Sequence, residues 1–180
     1  MSDYRSGRQA GVVMSGRMVD SRGFTLIEAV IVLCIIAIMA LIALPSLKAY
    51  IDNSNLRTAA NDLASSFYLS KEKATAGFTV YQTTFTSGGS GSYTVSKCSS
   101  SGTSCSSSFS DISATDFSAF GSEIKLTASP SDNPVIFYPR GITNITAAAG
   151  DNIILTNNRG STATITVFLT GRTNVTWDLK

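Results

Sequence analysis

One carboxylate, Glu28, stands inside the apolar run Gly23–Leu44, which reads G-F-T-L-I-E-A-V-I-V-L-C-I-I-A-I-M-A-L-I-A-L. An ionisable group in such a setting is costly unless a partner or water meets it, so its default reading is functional. The chemistry open to it is charge pairing with an ammonium group in a packed helical bundle, which would favour one axial register. The plainer alternative is a carboxylate about one turn inside the run that reaches back for lipid headgroups. Two further thiols, Cys98 and Cys105, flank a short Ser/Gly-rich insert, and three arginines, Arg140, Arg159 and Arg172, each adjoin a glycine. Arg172 has three roles open to it, as a surface charge, a carboxylate partner or a ligand contact, and Arg140 and Arg159 could lie near it. The chain has no histidine. That excludes the usual Ser-His and Cys-His arrangements and the histidine-bearing zinc motifs. With two thiols outside the apolar run and no second pair, no metal site is expected. No phosphate-binding or dinucleotide fingerprint appears, and no cofactor is expected. Asp111, Asp116, Glu123 and Asp132 read as loop and strand-edge residues serving solubility, so no catalytic residue is assigned and the chain does not read as an enzyme.

The elements that must position these residues follow from pattern. Residues 24–44 as an α-helix span about 31 Å, one hydrocarbon core. Arg5, Arg8, Arg17 and Arg22 precede the run against Asp3 and Asp20, which keeps the N-terminus cytoplasmic and sends the remainder outward. A secretory signal would have a shorter core and a small-x-small cleavage site, which Leu41-Ile42-Ala43 does not supply. Cys34 reads as a small apolar packing residue of this helix. Because the outer compartment is oxidising, Cys98 and Cys105 are expected to form a disulfide. Pro45 ends the apolar run and predicts a kink or local unwinding. Beyond it Leu56, Ala60, Leu63, Phe67 and Ala74 form one apolar stripe on a helix ending near Gly77. Asp52, Arg57, Asp62, Lys71 and Lys73 are expected on a solvated opposite face.

From Phe78 the period changes to two. Strands are expected at Phe78–Phe85, Tyr93–Lys97, Glu123–Ala128, Val135–Tyr138, Asn152–Thr156, Thr162–Leu169 and Asn174–Asp178, with a turn at Ser87–Ser92 joining the first two as a hairpin. Ser99–Ser110 reads as a loop, and the Ser-rich stretch through residue 120 receives no element. The sequons at Asn144 and Asn174 read as chance. About 136 residues outside the leader and anchor make one domain by size. A formal net charge of +2 with 14% charged residues is not a nucleic-acid-binding composition.

R-G-F-T-L-I-E, followed by the apolar run and Pro45, resembles the class III leader of type IV pilins and type II secretion pseudopilins. The resemblance implies a prepilin peptidase that cuts between Gly23 and Phe24 and methylates the new Phe24 amine. It implies that Glu28 neutralises the N-terminal amine of a neighbouring subunit in a filament. The domain layout is then a cytoplasmic leader 1–23, a transmembrane and filament-core helix 24–44, a soluble helical half 45–77 and a β-rich head 78–180. The leader is long for such proteins. Met18 would open a compact basic leader and Met14 is a further start beside Met1; otherwise residues 1–17 form a cytoplasmic tail.

Leu63–Ala76, V-I-F-Y-P-R-G at 135–141, D-N-I-I-L-T-N-N-R-G at 151–160 and T-I-T-V-F-L-T-G-R at 164–172 resemble the GspH/FimT group of minor pseudopilins. The implied fold is α+β and pilin-like: a long N-terminal α-helix, half transmembrane and half amphipathic, packed on a C-terminal antiparallel β-sheet head. The implied function is a minor pseudopilin of the type II secretion pseudopilus. The alternative is a minor pilin of a type IV pilus, in assembly, adhesion or DNA uptake. The implied location is the bacterial inner membrane, single-pass with a periplasmic head, before assembly into a periplasmic pseudopilus or surface pilus. Implied partners are the peptidase, other pilins or pseudopilins, the inner-membrane assembly platform and membrane lipid. Some members of the group bind DNA through Gly-Arg-x-Arg at the last hairpin. Here Gly171-Arg172-Thr173-Asn174 lacks the second arginine, which weakens phosphate attraction. DNA contact by Arg172, with Arg140 and Arg159, therefore ranks behind the structural role.

Overall fold

Helix α1, Leu26–Gly77, begins where apolar residues of good helix propensity follow Thr25, and it ends at the glycine that precedes the first strand. The structure, a computed structural model, describes residues 23–106 and 108–180. The leader up to Arg22 and the alternative starts at Met1, Met14 and Met18 lie outside the described residues. The described residues form two compact units, one up to Leu41 and the other Ile42–Lys180.

In the first unit the helix is long and apolar enough to cross a membrane. Every residue from Gly23 to Leu41 is exposed, including Cys34. The helical assignment runs through Pro45 without interruption, so the expected local unwinding does not occur. A proline nitrogen has no hydrogen to donate, but the turns on either side keep their own bonds.

In the second unit α1 buries Asp52, Leu56, Ala59, Ala60, Leu63, Phe67, Ser70 and Ala74. This is the expected stripe, filled in by the small residues between its large members. The solvated face expected for the charges holds only in part. Asp52 is buried because it lies one turn before Leu56 on the same stripe. Asp62 accepts a hydrogen bond from the Tyr93 hydroxyl, and Lys71, one turn after Phe67, donates from Nζ to Thr170 O at 2.9 Å. Arg57 lies 5.9 Å from the Trp177 ring centroid. Lys73 is exposed.

Among the described residues eight strands follow: β1 Thr79–Thr86, β2 Ser92–Ser101, β3 Phe109–Asp116, β4 Lys125–Ala128, β5 Val135–Phe137, β6 Asp151–Thr156, β7 Thr162–Val167 and β8 Thr173–Asp178. They form two four-stranded sheets, ordered β3-β2-β1-β5 and β4-β6-β7-β8, with every pairing antiparallel. The layout is that of a pilin-like α+β protein, one long helix and then antiparallel sheets. Burial alternates along β7, where Ala163, Ile165 and Val167 point inward, as period-two patterning requires. The β1–β2 hairpin forms as expected, with Gln82 opposite Ser96 and Phe85 opposite Tyr93.

Strands β2 and β3 take both ends of the expected loop Ser99–Ser110, leaving 102–106 and 108 outside any strand. Strand β2 extends to Ser101 and β3 starts at Phe109, with Cys98 opposite Phe109. Serine composition masked this pairing, because serine side chains often compete for backbone partners in turns. Here they brace the hairpin: Ser99 Oγ donates to Ser108 O at 2.8 Å, and Ser96 Oγ to Asp111 Oδ1 at 2.7 Å. The Cys98–Cys105 disulfide closes the hairpin tip, with a Cα–Cα separation of 5.8 Å.

The core joins the helix stripe to both sheets. Phe67 stands at its centre, with ring centroids 6.1 Å from Phe85 and 5.7 Å from Phe137. Phe85, Tyr93 and Phe117 continue the aromatic chain. From the second sheet Ile153, Leu155, Ala163, Ile165 and Val167 complete the same cluster.

Candidate functional site

The segment that opens the helix is set by Thr25. Its Oγ1 accepts the Glu28 N–H at 3.3 Å and its carbonyl accepts the Ala29 N–H at 3.2 Å. Thr25 is thus the N-cap, and Thr25-Leu26-Ile27-Glu28 has capping-box spacing. The sequence carried this signal in plain view, but the membrane-length run drew attention to Glu28 alone. The carboxylate stands in the first helical turn, at the positive end of the helix dipole. It is exposed, as are Gly23 and Phe24 before it. Around it the helix offers a continuous exposed apolar surface on which Leu26, Ile27, Leu33 and Leu41 are each at least 65% accessible. Such a surface requires lipid or other apolar helices to cover it.

In the head the structure sorts the three candidate arginines. Arg140 lies on the turn after β5, where Gly141 N–H donates to Tyr138 O at 2.9 Å. Arg172 lies on the β7–β8 turn, where Gly171 N–H donates to Phe168 O at 2.8 Å. The two turns are stacked: a Cβ on Gly171 would come 3.0 Å from Gly141 O and 3.0 Å from Lys71 Cδ. Both glycines have positive φ, 76° for Gly141 and 64° for Gly171, so they supply both the turn and the close approach. Lys71 spans the pair with its stem and ties Thr170 O with its ammonium. The Arg172 guanidinium lies 5.6 Å from the Phe168 ring centroid.

Arg159 is not part of this arrangement. It sits on the β6–β7 turn, at the other end of β7 and about 20 Å away at ~3.3 Å per strand residue. Asn157 organises that turn: its Oδ1 accepts the Arg159 and Ser161 N–H groups, each at 3.0 Å, and its amide donates to Asn53 Oδ1 at 3.0 Å. Asn53 also donates to Lys180 O at 3.2 Å, so one helix residue fastens the turn and the chain end.

Of the head carboxylates Asp111, Asp116, Glu123 and Asp132, the first accepts the Ser96 hydroxyl, Glu123 Oε2 is buried without a hydrogen-bond partner, and Asp116 and Asp132 bind backbone. Asp116 caps the following 3-10 turn by accepting the Ser118 N–H at 2.7 Å; hydrogen bonding by the Ser118 side chain first, and then by that N–H, holds its carboxyl below the usual range. Asp132 Oδ2 accepts the Thr146 N–H at 3.3 Å. Among the described residues no group of three or more potential metal ligands is found.

Residues 18–44 match the family model for the prokaryotic N-terminal methylation motif. No curated protein and no solved structure matches the chain significantly. The motif implies processing by a prepilin peptidase, anchoring in a membrane and assembly with other pilins, and it points to a structural protein. With that motif at its N-terminal end, one long helix and antiparallel sheets after it, the chain has a pilin-like layout.

Proposed function

We propose that this chain is a minor pseudopilin of a type II secretion pseudopilus. In this reading a prepilin peptidase cuts after Gly23 and methylates the Phe24 amine. The exposed apolar helix then moves from inner-membrane lipid into a filament core, on an assembly platform, with the head on the periplasmic side. Glu28 pairs with the N-terminal ammonium of a neighbouring subunit and fixes the stagger of the helices. Burial of one apolar helix against another supplies the attraction. The single observation that carries this reading is an acidic residue in the first turn of a helix whose membrane-length part is apolar, fully exposed and bears the methylation motif.

The assignment to the GspH/FimT group rests on the order of the head motifs. The stacking of the Pro139-Arg140-Gly141 and Gly171-Arg172 turns supports it, since it gives both motifs one structural purpose. Two experiments test the reading. Mass spectrometry of the mature protein should find an N-methylated Phe24 terminus; a chain beginning beyond Ala43 overturns the filament role. Inactivation in the source bacterium should stop release of folded exoproteins while surface pili persist. Loss of pili with intact secretion would instead assign the chain to a type IV pilus.

A further inference from the structure

We infer that the end of the head at which α1 finishes is a docking surface for an extended protein segment that alternates carboxylates with large apolar side chains. Four backbone segments meet there. Gly102 N–H at the tip of the disulfide hairpin donates to Phe78 O at 2.8 Å, which brings the hairpin to the helix end. Thr143 N–H donates to Leu169 O at 2.8 Å, which joins the turn after β5 to the β7–β8 turn. A concavity of about 270 Å³ links Thr103 of the hairpin to Tyr138, Arg140 and Ile142.

The surface is apolar and cationic at once. Phe78 is 56% exposed, Ile142 40% and Leu169 50%. Arg140 and Arg172 stand exposed among them. Residues 76–80, 97–106, 136–149 and 166–173 contain no aspartate or glutamate. The carboxylates that border them include Glu72, in the hollow it lines with Lys71 and Arg172, and Asp132, whose Oδ2 accepts the Thr146 N–H, so cations remain in excess. Charge complementarity therefore selects an acidic partner. Phe78 adds an independent sign. It holds φ at 47°, in the left-handed region a bulky residue rarely takes, directly after Gly77, which would take it freely. Strain of this kind persists where the surroundings demand it, and it clusters at binding surfaces. What it achieves here is an aromatic ring held out into solvent.

The relief of the surface favours a polypeptide over other anions. Arg172 forms the ridge between two concavities, of about 560 Å³ beside Tyr68 and about 360 Å³ beside Ala147. Arg140 borders the third. Separate hollows divided by arginines fit apolar side chains spaced along a strand, with carboxylates reaching the guanidinium groups in bidentate fashion. A flat bilayer would leave the hollows empty. A nucleic acid would find few cations in these segments, Lys97, Arg140 and Arg172, since the Lys71 ammonium is bound to Thr170 O, and so few phosphate contacts give weak attraction.

This inference is independent of which filament the chain joins and of processing at Gly23. The test uses the full chain in nanodiscs of uncharged lipid and a dye-labelled synthetic peptide alternating glutamate and leucine, with binding read by fluorescence anisotropy. Saturable binding is expected, weakened at least about tenfold in Phe78→Gly and in Arg140→Ala/Arg172→Ala. Phe78→Gly removes the ring while relieving the backbone, so its fold is retained, as an unchanged or raised Tm will show. Binding that survives both variants overturns the inference. So does equal binding of a lysine–leucine peptide. So does a preference for anionic vesicles or duplex DNA that is abolished by the same substitutions.

Discussion

At the residue scale, small polar side chains act as substitutes for backbone. Asn144 Oδ1 accepts the Ile136 N–H at 2.7 Å and its amide donates to Pro134 O at 3.0 Å. Asn133 pairs in the same two-point way with Phe85 N–H and O, each at 3.0 Å. The Asn144 sequon is therefore a structural amide that a glycan would displace. Asn144→Ala should lower stability by about 1–3 kcal/mol, measured by denaturant unfolding, because it strands two backbone groups. Tyr93 is buried, donates to Asp62 and accepts from Ser66 Oγ at 3.0 Å. Burial first, and then the Asp62 hydrogen bond, raise its pKa from 10.0. The folded protein thus favours the neutral phenol. The stability this gives is complete below the unfolded-state value near 10.0 and disappears as pH rises through the higher folded value. In a melting series across alkaline pH, Tyr93→Phe should be less stable than the parent near neutrality, and the difference should shrink above pH ~10. At the helix start, Glu28→Gln keeps the cap made by Thr25 but removes the charge. On the proposed filament reading it should still be cleaved after Gly23, while filament incorporation falls by more than about tenfold, since loss of a buried pair partner costs ~3 kcal/mol or more. Equal incorporation of the variant would remove the pairing role.

At the element scale, two devices shape the head: a stapled hairpin and a pair of stacked turns. The β2–β3 hairpin is rich in serine and contributes little apolar surface, since β3 is exposed along most of its length. The Cys98–Cys105 disulfide compensates by restricting the unfolded chain. Its loss in the Cys98→Ser/Cys105→Ser double variant should cost about 2–3 kcal/mol on the chain-entropy model. Local hydrogen exchange should rise first in residues 97–110. The stacked turns depend on Gly171. A methyl group there meets Gly141 O and the Lys71 stem at 3.0 Å while φ stays positive. Gly171→Ala should therefore destabilise the head by more than about 1 kcal/mol, whereas an alanine at exposed Arg172 should leave stability within about 0.5 kcal/mol. A melting curve for each variant separates structural glycine from surface arginine.

At the scale of the whole molecule, the two units meet different demands. The residues up to Leu41 expose apolar surface and hold together as a helix by their own backbone bonds. Residues Ile42–Lys180 carry a core in which one helix stripe serves both sheets. Phe67 touches aromatic partners from β1 and β5, so Phe67→Ala should cost about 3–5 kcal/mol. The effect belongs to the head alone. Circular dichroism should show early loss of β signal while membrane insertion of the first helix persists.

The sequence by itself determined the membrane-length helix, the charge within it, the switch to period-two patterning and most strand positions. Each of these is local: hydrophobic periodicity, chain length and turn residues act over a few positions and need no partner. It misread β3 because serine has no strong preference of its own. The strand exists through pairing with β2, where Cys98 lies opposite Phe109. It also placed Asp52 and Lys71 in solvent, although helical spacing puts both on the stripe; only the packing of the second unit fixed how wide that stripe is. Tertiary structure alone decided that the strands divide into two sheets. It alone decided that the turns carrying Arg140 and Arg172 stack over Lys71 while Arg159 stays at the far end of β7. Those outcomes depend on contacts between residues far apart in the chain, and no local pattern encodes such distances.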